Sequence, residues 1–152
     1  MNATDTVRLA ESSDLDQLAG LFDQYRQFYE CPPDLGAANS WIAENFERGR
    51  STIFVAGDGH QLIGFTQLYP ALCSVALVEY FVLYDLFVAP SARRQGIARA
   101  LMNAASEWAT AQGAARLDLE TARDNYPGQA LYGDLGYELD EVFLKFTLDL
   151  GR

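Results

Sequence analysis

Apolar positions along the chain change their period several times, and each change marks an element. Val7-Arg8-Leu9-Ala10 reads as a short strand. Ser13 with Asp16 three positions later has capping-box spacing. Behind it Leu15, Leu18, Leu21, Phe22, Tyr25 and Tyr29 recur every three or four residues, which is one face of an amphipathic helix. Cys31-Pro32-Pro33 ends that helix, because proline lacks an N–H and clashes with the preceding turn. A second helix is predicted from about Leu35 to Arg48, carrying Trp41, Ile42 and Phe46.

The pattern then turns to strands. Thr52–Ala56 and Leu62–Leu68 form a predicted hairpin around Gly57-Asp58-Gly59, and Pro70 closes its second strand. Val75–Val88 is β-branched and aromatic, too long for a straight strand, and is expected to be bulged. A helix starts near Gly96, places Ile97, Leu101, Ala104, Ala105 and Trp108 on one face, and ends at Gly113. Arg116–Thr121 is the next strand. A short helix after Pro127 carries Ala130, Leu131 and Leu135 and stops at Gly136, and Val142–Leu148 is a terminal strand. The order β-α-α-β-β-β-α-β-α-β-β is an α+β, three-layer arrangement with one parallel strand–helix–strand crossover between Val82 and Thr121. No repeat or linker interrupts it, so residues 1–152 read as a single domain.

Composition narrows the functional classes. The chain is 49% hydrophobic and 21% charged, which suits a packed core. Its formal charge of −10 excludes an ordinary nucleic-acid binder, since phosphate neutralisation needs a basic face. Cys31 and Cys73 have no CxxC spacing, and the single His60 builds no metal site, so no metal is expected. Met1–Asp5 lacks the basic and apolar regions of a leader, and Val75–Val88 contains Glu79 and Asp85 and is too short to span a bilayer as a helix. A cytoplasmic protein with no membrane partner is the expectation.

Within this acidic chain, positions 86–106 hold three arginines and no acid. Arg93, Arg94 and Arg99 precede or open a helix, where free N–H groups and the dipole favour an anion. Gly96 and Ala98 are small enough for phosphates to approach the backbone. Together these describe a pyrophosphate cradle. Neither the Gly-Lys-Ser/Thr of a nucleotide-hydrolysing loop nor GxGxxG is present.

Arg93-Arg94-Gln95-Gly96-Ile97-Ala98 resembles the coenzyme A pyrophosphate loop, R/Q-x-x-G-x-G/A, of the GCN5-related N-acetyltransferase (GNAT) superfamily. The preceding Asp85–Pro90 is similar to that family's fourth strand. Leu119-Glu120-Thr121, Asn125 and Ala130-Leu131-Tyr132-Gly133-Asp134-Leu135-Gly136-Tyr137 are similar to its closing signature. The resemblance covers nearly the whole chain. It implies a mixed sheet splayed between its fourth and fifth strands, about four flanking helices, and acetyl-CoA held in the splay.

By that resemblance, backbone groups of Leu86, Phe87 and Val88 hold the pantetheine arm as an added strand would. Arg93, Arg94, Gln95, Gly96, Ile97, Ala98 and Arg99 take the pyrophosphate, and Asn125 bonds near the pantetheine. Tyr132 is the acid that protonates the departing thiolate. Glu120 matches a proposed family base and is favoured slightly over its rival Asp85, Glu79 is a distant third, and a water chain is the alternative to Glu120 or Asp85. The acceptor walls offer Tyr25, Phe28, Tyr29, Glu30, Tyr69, Tyr80, Tyr84, Asp140 and Glu141, which suit a small amine, polyamine or amino acid. Two departures stand out. Ala98 replaces the commoner glycine, and Pro127-Gly128 follows Asn125, so the last helix is expected to begin later and tilt. The alternative is a non-catalytic acyl-CoA-binding or sensory module of the same fold. The apolar strand Val142–Leu148 offers an edge for a homodimer.

Overall fold

The computed structural model describes residues 6–152. Met1–Asp5, the stretch that lacks a leader pattern, lies outside the described residues. Two compact units are present, Met1–Glu120 and Thr121–Arg152.

The first unit is a five-stranded sheet in the order β1-β2-β3-β4-β5, with helices on both faces. β1 (Thr6–Leu9), β2 (Thr52–Gly57), β3 (Leu62–Cys73) and β4 (Val78–Val88) are antiparallel to their neighbours, whereas β5 (Leu117–Asp118) is parallel to β4. The expected parallel crossover is therefore present, with α3 (Ile97–Ala111) as its helix.

α1 (Leu15–Phe28) and α2 (Leu35–Glu47) cover one face. Leu18, Leu21 and Phe22 of α1 and Ala38 and Ile42 of α2 pack with Ile53, Val55, Phe65 and Phe87 of the sheet. α3 buries Ile97, Leu101, Met102, Ala105 and Ala109, and its Trp108 ring meets Phe54 and Phe81. Gly64 permits a close approach here: a Cβ at that position would lie 3.0 Å from the Phe87 carbonyl oxygen and 3.3 Å from Leu101.

Several boundaries differ from the sequence-based expectation. The capping box uses Glu11 and Asp14 rather than Ser13 and Asp16, and a 3-10 turn, Ser12–Asp14, precedes α1. Arg8 stabilises this cap by donating twice to the Asp14 carboxylate, at 2.7 and 2.9 Å. β3 does not stop at Pro70. It continues to Cys73, beyond the last β2 pair at Thr52 and Leu68, so the missing proline N–H falls where β2 no longer flanks the strand. β4 begins at Val78, because 74–77 form a turn with Leu77 in the left-handed region.

In the second unit, α4 (Tyr126–Asp134) starts directly after Asn125, not later. Pro127 sits in the first turn, where its absent N–H costs nothing. The strand expected at Val142–Leu148 is not formed: residues 137–152 carry neither helix nor strand, and 138–152 are exposed.

Candidate functional site

The bulge expected in β4 is present, and it organises the site. Leu83 pairs with Leu68 and Asp85 with Gln67, so Tyr84 is an extra residue between them. A bulge turns adjacent side chains towards one side. The Tyr84 ring lies 5.5 Å from that of Tyr69, while Asp85 bonds to Gln67.

The bulge also changes which backbone groups face outward. Before it, Phe81 N–H bonds to Arg116 on the β5 side. After it, Ala89 N–H bonds back to Ile63 of β3. Alternation along the strand then directs Asp85 and Phe87 towards β3, and Leu86 and Val88 towards the other edge. Pairing with β5 ends at Val82 and Asp118. β5 itself ends at Asp118, so among the described strands none pairs with this edge of β4 beyond Val82. Of the three residues expected to hold the pantetheine arm, Phe87 spends its backbone groups on β3, whereas those of Leu86 and Val88 point away from it.

Asp85 is buried, and Gln67 Nε2 donates to its Oδ2 at 2.7 Å. Gln67 is itself buried and fixed from behind. Its Oε1 accepts from Ser51 Oγ at 2.7 Å and from Asn45 Nδ2 at 3.1 Å. Asn45 also donates to the Tyr69 hydroxyl at 3.0 Å and accepts from Arg50 Nε at 3.1 Å. Burial pushes the Asp85 carboxyl above its ordinary value, while the bonds from Gln67 and Tyr25 act in the opposite direction.

Tyr25 packs against Phe65, Phe87 and Tyr29, and its hydroxyl reaches the Tyr84 carbonyl at 3.4 Å. Burial and the nearby Asp85 charge raise its phenol, and the same two causes raise Tyr29. Of the expected acceptor residues, Tyr25, Tyr29, Tyr69 and Tyr84 thus gather around Asp85. Glu30 does not belong to this group; it is exposed in the left-handed turn that ends α1. Tyr80 is covered by the Arg116 guanidinium, 4.0 Å from its ring centre. Asp140 accepts from the Val142 and Phe143 amides in the second unit.

Gln67, Asn45 and Ser51 were not among the expected site residues. A glutamine in the apolar run Ile63–Leu68, and an asparagine three positions after Ile42 on a helix's buried stripe, were the available signals.

The loop after β4, expected to take the pyrophosphate, combines a short turn with left-handed backbone. Pro90–Ala92 makes a 3-10 turn, and Arg94 and Gly96 both have positive φ. Gly96 is the N-cap of α3 and supplies no side-chain cap, so the first amides of the helix remain for another acceptor. Arg94 and Arg99 are exposed beside them, with Gln95 and Ala98 half-buried and Ile97 buried. Arg93 is different. Its Nε donates to the Val88 carbonyl at 3.0 Å and its guanidinium lies over Phe87, so it braces the strand end.

Glu120 is exposed two residues past β5. In the second unit, Asn125 caps α4 by accepting from Gly128 N–H at 3.2 Å, and it donates to Thr121 Oγ1 at 2.9 Å. A Cβ at Gly128 would collide with that side chain. Tyr132 lies on α4, its ring 6.2 Å from that of Tyr137. Among the described residues no group of three or more His, Cys, Asp or Glu could hold a metal, and no helix is long and apolar enough to cross a membrane.

A mixed five-stranded sheet with β5 parallel to β4 and α3 crossing between them defines the class: the fold is that of the N-acetyltransferases, and the protein is an N-acetyltransferase. The chain belongs to the Acetyltransferase (GNAT) family, whose model matches residues 16–137. It is similar to an uncharacterized N-acetyltransferase, YhfO, of Bacillus subtilis, with 39% identity over 144 residues, 95% of this chain and 97% of that one. A probable acetyltransferase of Haemophilus influenzae is 29% identical over 142 residues, 93% of this chain and 95% of that one. A crystal structure of a probable acetyltransferase superimposes with a TM-score of 0.90 at 33% identity, covering 97% of this chain and 99% of that one.

Proposed function

We propose that the protein transfers the acetyl group of acetyl-CoA directly to a small primary amine in the cytoplasm, with Asp85 as the base. The observation that carries this reading is the Asp85 carboxylate itself, buried beneath Tyr25, Tyr69 and Tyr84 and adjoining the strand edge at Leu86 and Val88. Tyrosine faces and a carboxylate attract an ammonium, and a base whose pKa is raised by burial is matched to removing its proton. Glu120, the match to a proposed family base, stands exposed instead.

The residues present fit coenzyme A. The pyrophosphate suits the first amides of α3 with Arg94 and Arg99, and Gly96 leaves room for it. The pantetheine amides suit the outward backbone groups of Leu86 and Val88, and by the family resemblance the Val88 N–H serves the thioester oxygen. In the transfer, Asp85 takes one proton from the ammonium and the amine nitrogen attacks the carbonyl carbon. The C–N bond forms and the C–S bond breaks. By the family resemblance Tyr132 protonates the thiolate, and the nitrogen's second proton restores the phenol.

A thiol-release assay with acetyl-CoA and a panel of polyamines, amino acids, aminoglycosides and peptide N-termini tests the proposal. Turnover with a small amine is expected. Coenzyme A binding without thiol release from any amine would mark a sensory module instead, and no binding would remove the coenzyme assignment.

A further inference from the structure

We infer that Tyr69 is a specificity-determining residue of the acceptor site: its hydroxyl donates to a neutral oxygen carried by the amine, so hydroxylated amines are preferred to alkylamines, polyamines and amino acids. This deepens the acetyl-transfer reading and rests on it. The direction of each hydrogen bond around Tyr69 is forced. The Asp85 carboxylate accepts, so the Gln67 amide nitrogen donates to it, and the Gln67 oxygen is left to accept from Asn45 Nδ2 at 3.1 Å. From the other end Arg50 can only donate, and its Nε gives to Asn45 Oδ1 at 3.1 Å. Asn45 is thereby pinned with its amide nitrogen turned to the Tyr69 oxygen, at 3.0 Å. The Trp41 indole, again a donor only, gives to the same oxygen at 3.3 Å. Both lone pairs of that hydroxyl are taken. What Tyr69 has left is its proton, and among the described residues nothing accepts it.

That proton belongs to the acceptor site. Trp41 and Asn45 both lie on α2, so the third direction of the hydroxyl points away from that helix. Gln67 and Tyr69 are two apart on β3 and share a face. The Tyr69 ring meets that of Tyr84, which is 61% exposed, so a solute can reach the pair. Neighbouring charges decide what the oxygen can be. Burial, and behind it the Asp85 charge, raise the Tyr69 phenol against the bonds from Trp41 and Asn45, so it keeps its proton at neutral pH. The same Asp85 charge repels an incoming carboxylate. Arg50, the guanidinium of this network, gives no relief: it is committed to Asn45, to Glu44 at 3.3 Å and to the Trp41 ring. A second ammonium finds no lone pair to donate to, and a methyl group leaves the phenol proton unpaired. A neutral oxygen meets all these conditions while the amine's ammonium lies on Asp85.

Primary amines of increasing chain length, each ending in methyl, hydroxyl, ammonium or carboxylate, test the inference on the whole protein. They are compared by kcat/KM in the thiol-release assay with acetyl-CoA and by calorimetric binding without it. At the best length the hydroxyl end is expected to exceed the matched methyl end by about tenfold or more. Tyr69→Phe should bring that ratio to within about twofold of unity. Both amines are measured on one preparation, so partial unfolding of the variant alters both alike and leaves the ratio unchanged. For a variant that does not fold, the wild-type series alone decides. Turnover without preference for the hydroxyl end, or a preference that survives Tyr69→Phe, overturns the role of Tyr69 and leaves acetyl transfer standing. A carboxylate or ammonium end that is preferred overturns the substrate class. A hydroxyl preference in binding that Tyr69→Phe removes, with no thiol released from any amine, supports the role of Tyr69 and overturns the transfer reading. Neither binding nor turnover of any amine overturns both.

Discussion

Gln67 and Asp85 sit at paired positions of β3 and β4, and the glutamine's Nε2 donates to the carboxylate at 2.7 Å. Both side chains are buried, which is an expensive place for a negative charge. The cost is tolerated because Ser51 and Asn45 hold the amide in the orientation that donates to Asp85.

Asp85→Asn separates function from stability. Without a base, kcat is expected to fall about a hundredfold or more. Stability should move the other way. The folded pKa of Asp85 lies above its unfolded value, so its ionisation opposes folding, fully above the folded pKa and not at all below the unfolded one. The variant should therefore melt higher than wild type near neutral pH, and the gain should vanish in acid. Melting curves across pH together with steady-state rates check both halves. A variant less stable at neutral pH would show that the buried charge is not a burden.

Gln67→Leu tests the positioning of that base. The lost hydrogen bond had favoured the charged carboxylate, so the Asp85 pKa rises further. The acidic limb of the kcat profile should shift to higher pH, with the KM for acetyl-CoA little changed. Leaving Asn45 and Ser51 without their acceptor costs a further 1–3 kcal/mol or so by denaturation. A purely structural glutamine would lower stability without moving the limb.

Much of this site is legible in the chain because local rules dictate it. The three- and four-residue period of α1 and α3 and the breaker at Cys31-Pro32-Pro33 follow from side-chain spacing alone. The positive φ of Gly96 and the helix it opens follow from glycine's freedom and the apolar run behind it. The Gln67–Asn45–Ser51 bracket is not local. It joins residues 16 to 22 positions apart, and the β2–β3 register together with the placement of α2 brings them together. The tail failed for a related reason. Val142–Leu148 has the alternation of a strand, but alternation specifies a face and not a neighbour.

Gly96→Asp should abolish the affinity for coenzyme A. Position 96 requires left-handed backbone, and it caps a helix start that has no side chain of its own. A carboxylate there satisfies the amides internally and repels the pyrophosphate. Gly96→Ala carries only the backbone penalty, about 1 kcal/mol. Calorimetry on the two variants distinguishes the effects; an aspartate variant that binds as tightly as wild type would place the phosphates elsewhere.

Tyr132→Phe removes a hydroxyl from α4 and leaves the ring against Tyr137. If the phenol protonates the thiolate, kcat drops tenfold or more while the affinity for acetyl-CoA, measured by titration, stays within about twofold. Acceptors are equal in this respect, since only the leaving thiol and not the amine depends on that proton. The defect should therefore be similar for every amine that is turned over. An unchanged kcat would take the role from Tyr132.

Asp14→Asn probes the joint that seats β1 against the start of α1. The carboxylate accepts two bonds from Arg8 and one, at 2.7 Å, from the Glu11 amide. The Arg8 bond above all holds its pKa below the ordinary value. A depressed carboxylate stabilises the fold above its unfolded pKa and loses that contribution as pH falls through the folded one. Because Arg8 is partly exposed and screened, the charge adds only about 1 kcal/mol at neutral pH, and the lost cap a similar amount. Denaturation should show the variant weaker at neutral pH, with the gap narrowing in acid and in high salt. A gap that is constant across pH would assign the whole effect to the cap's neutral hydrogen bond and none to the ion pair.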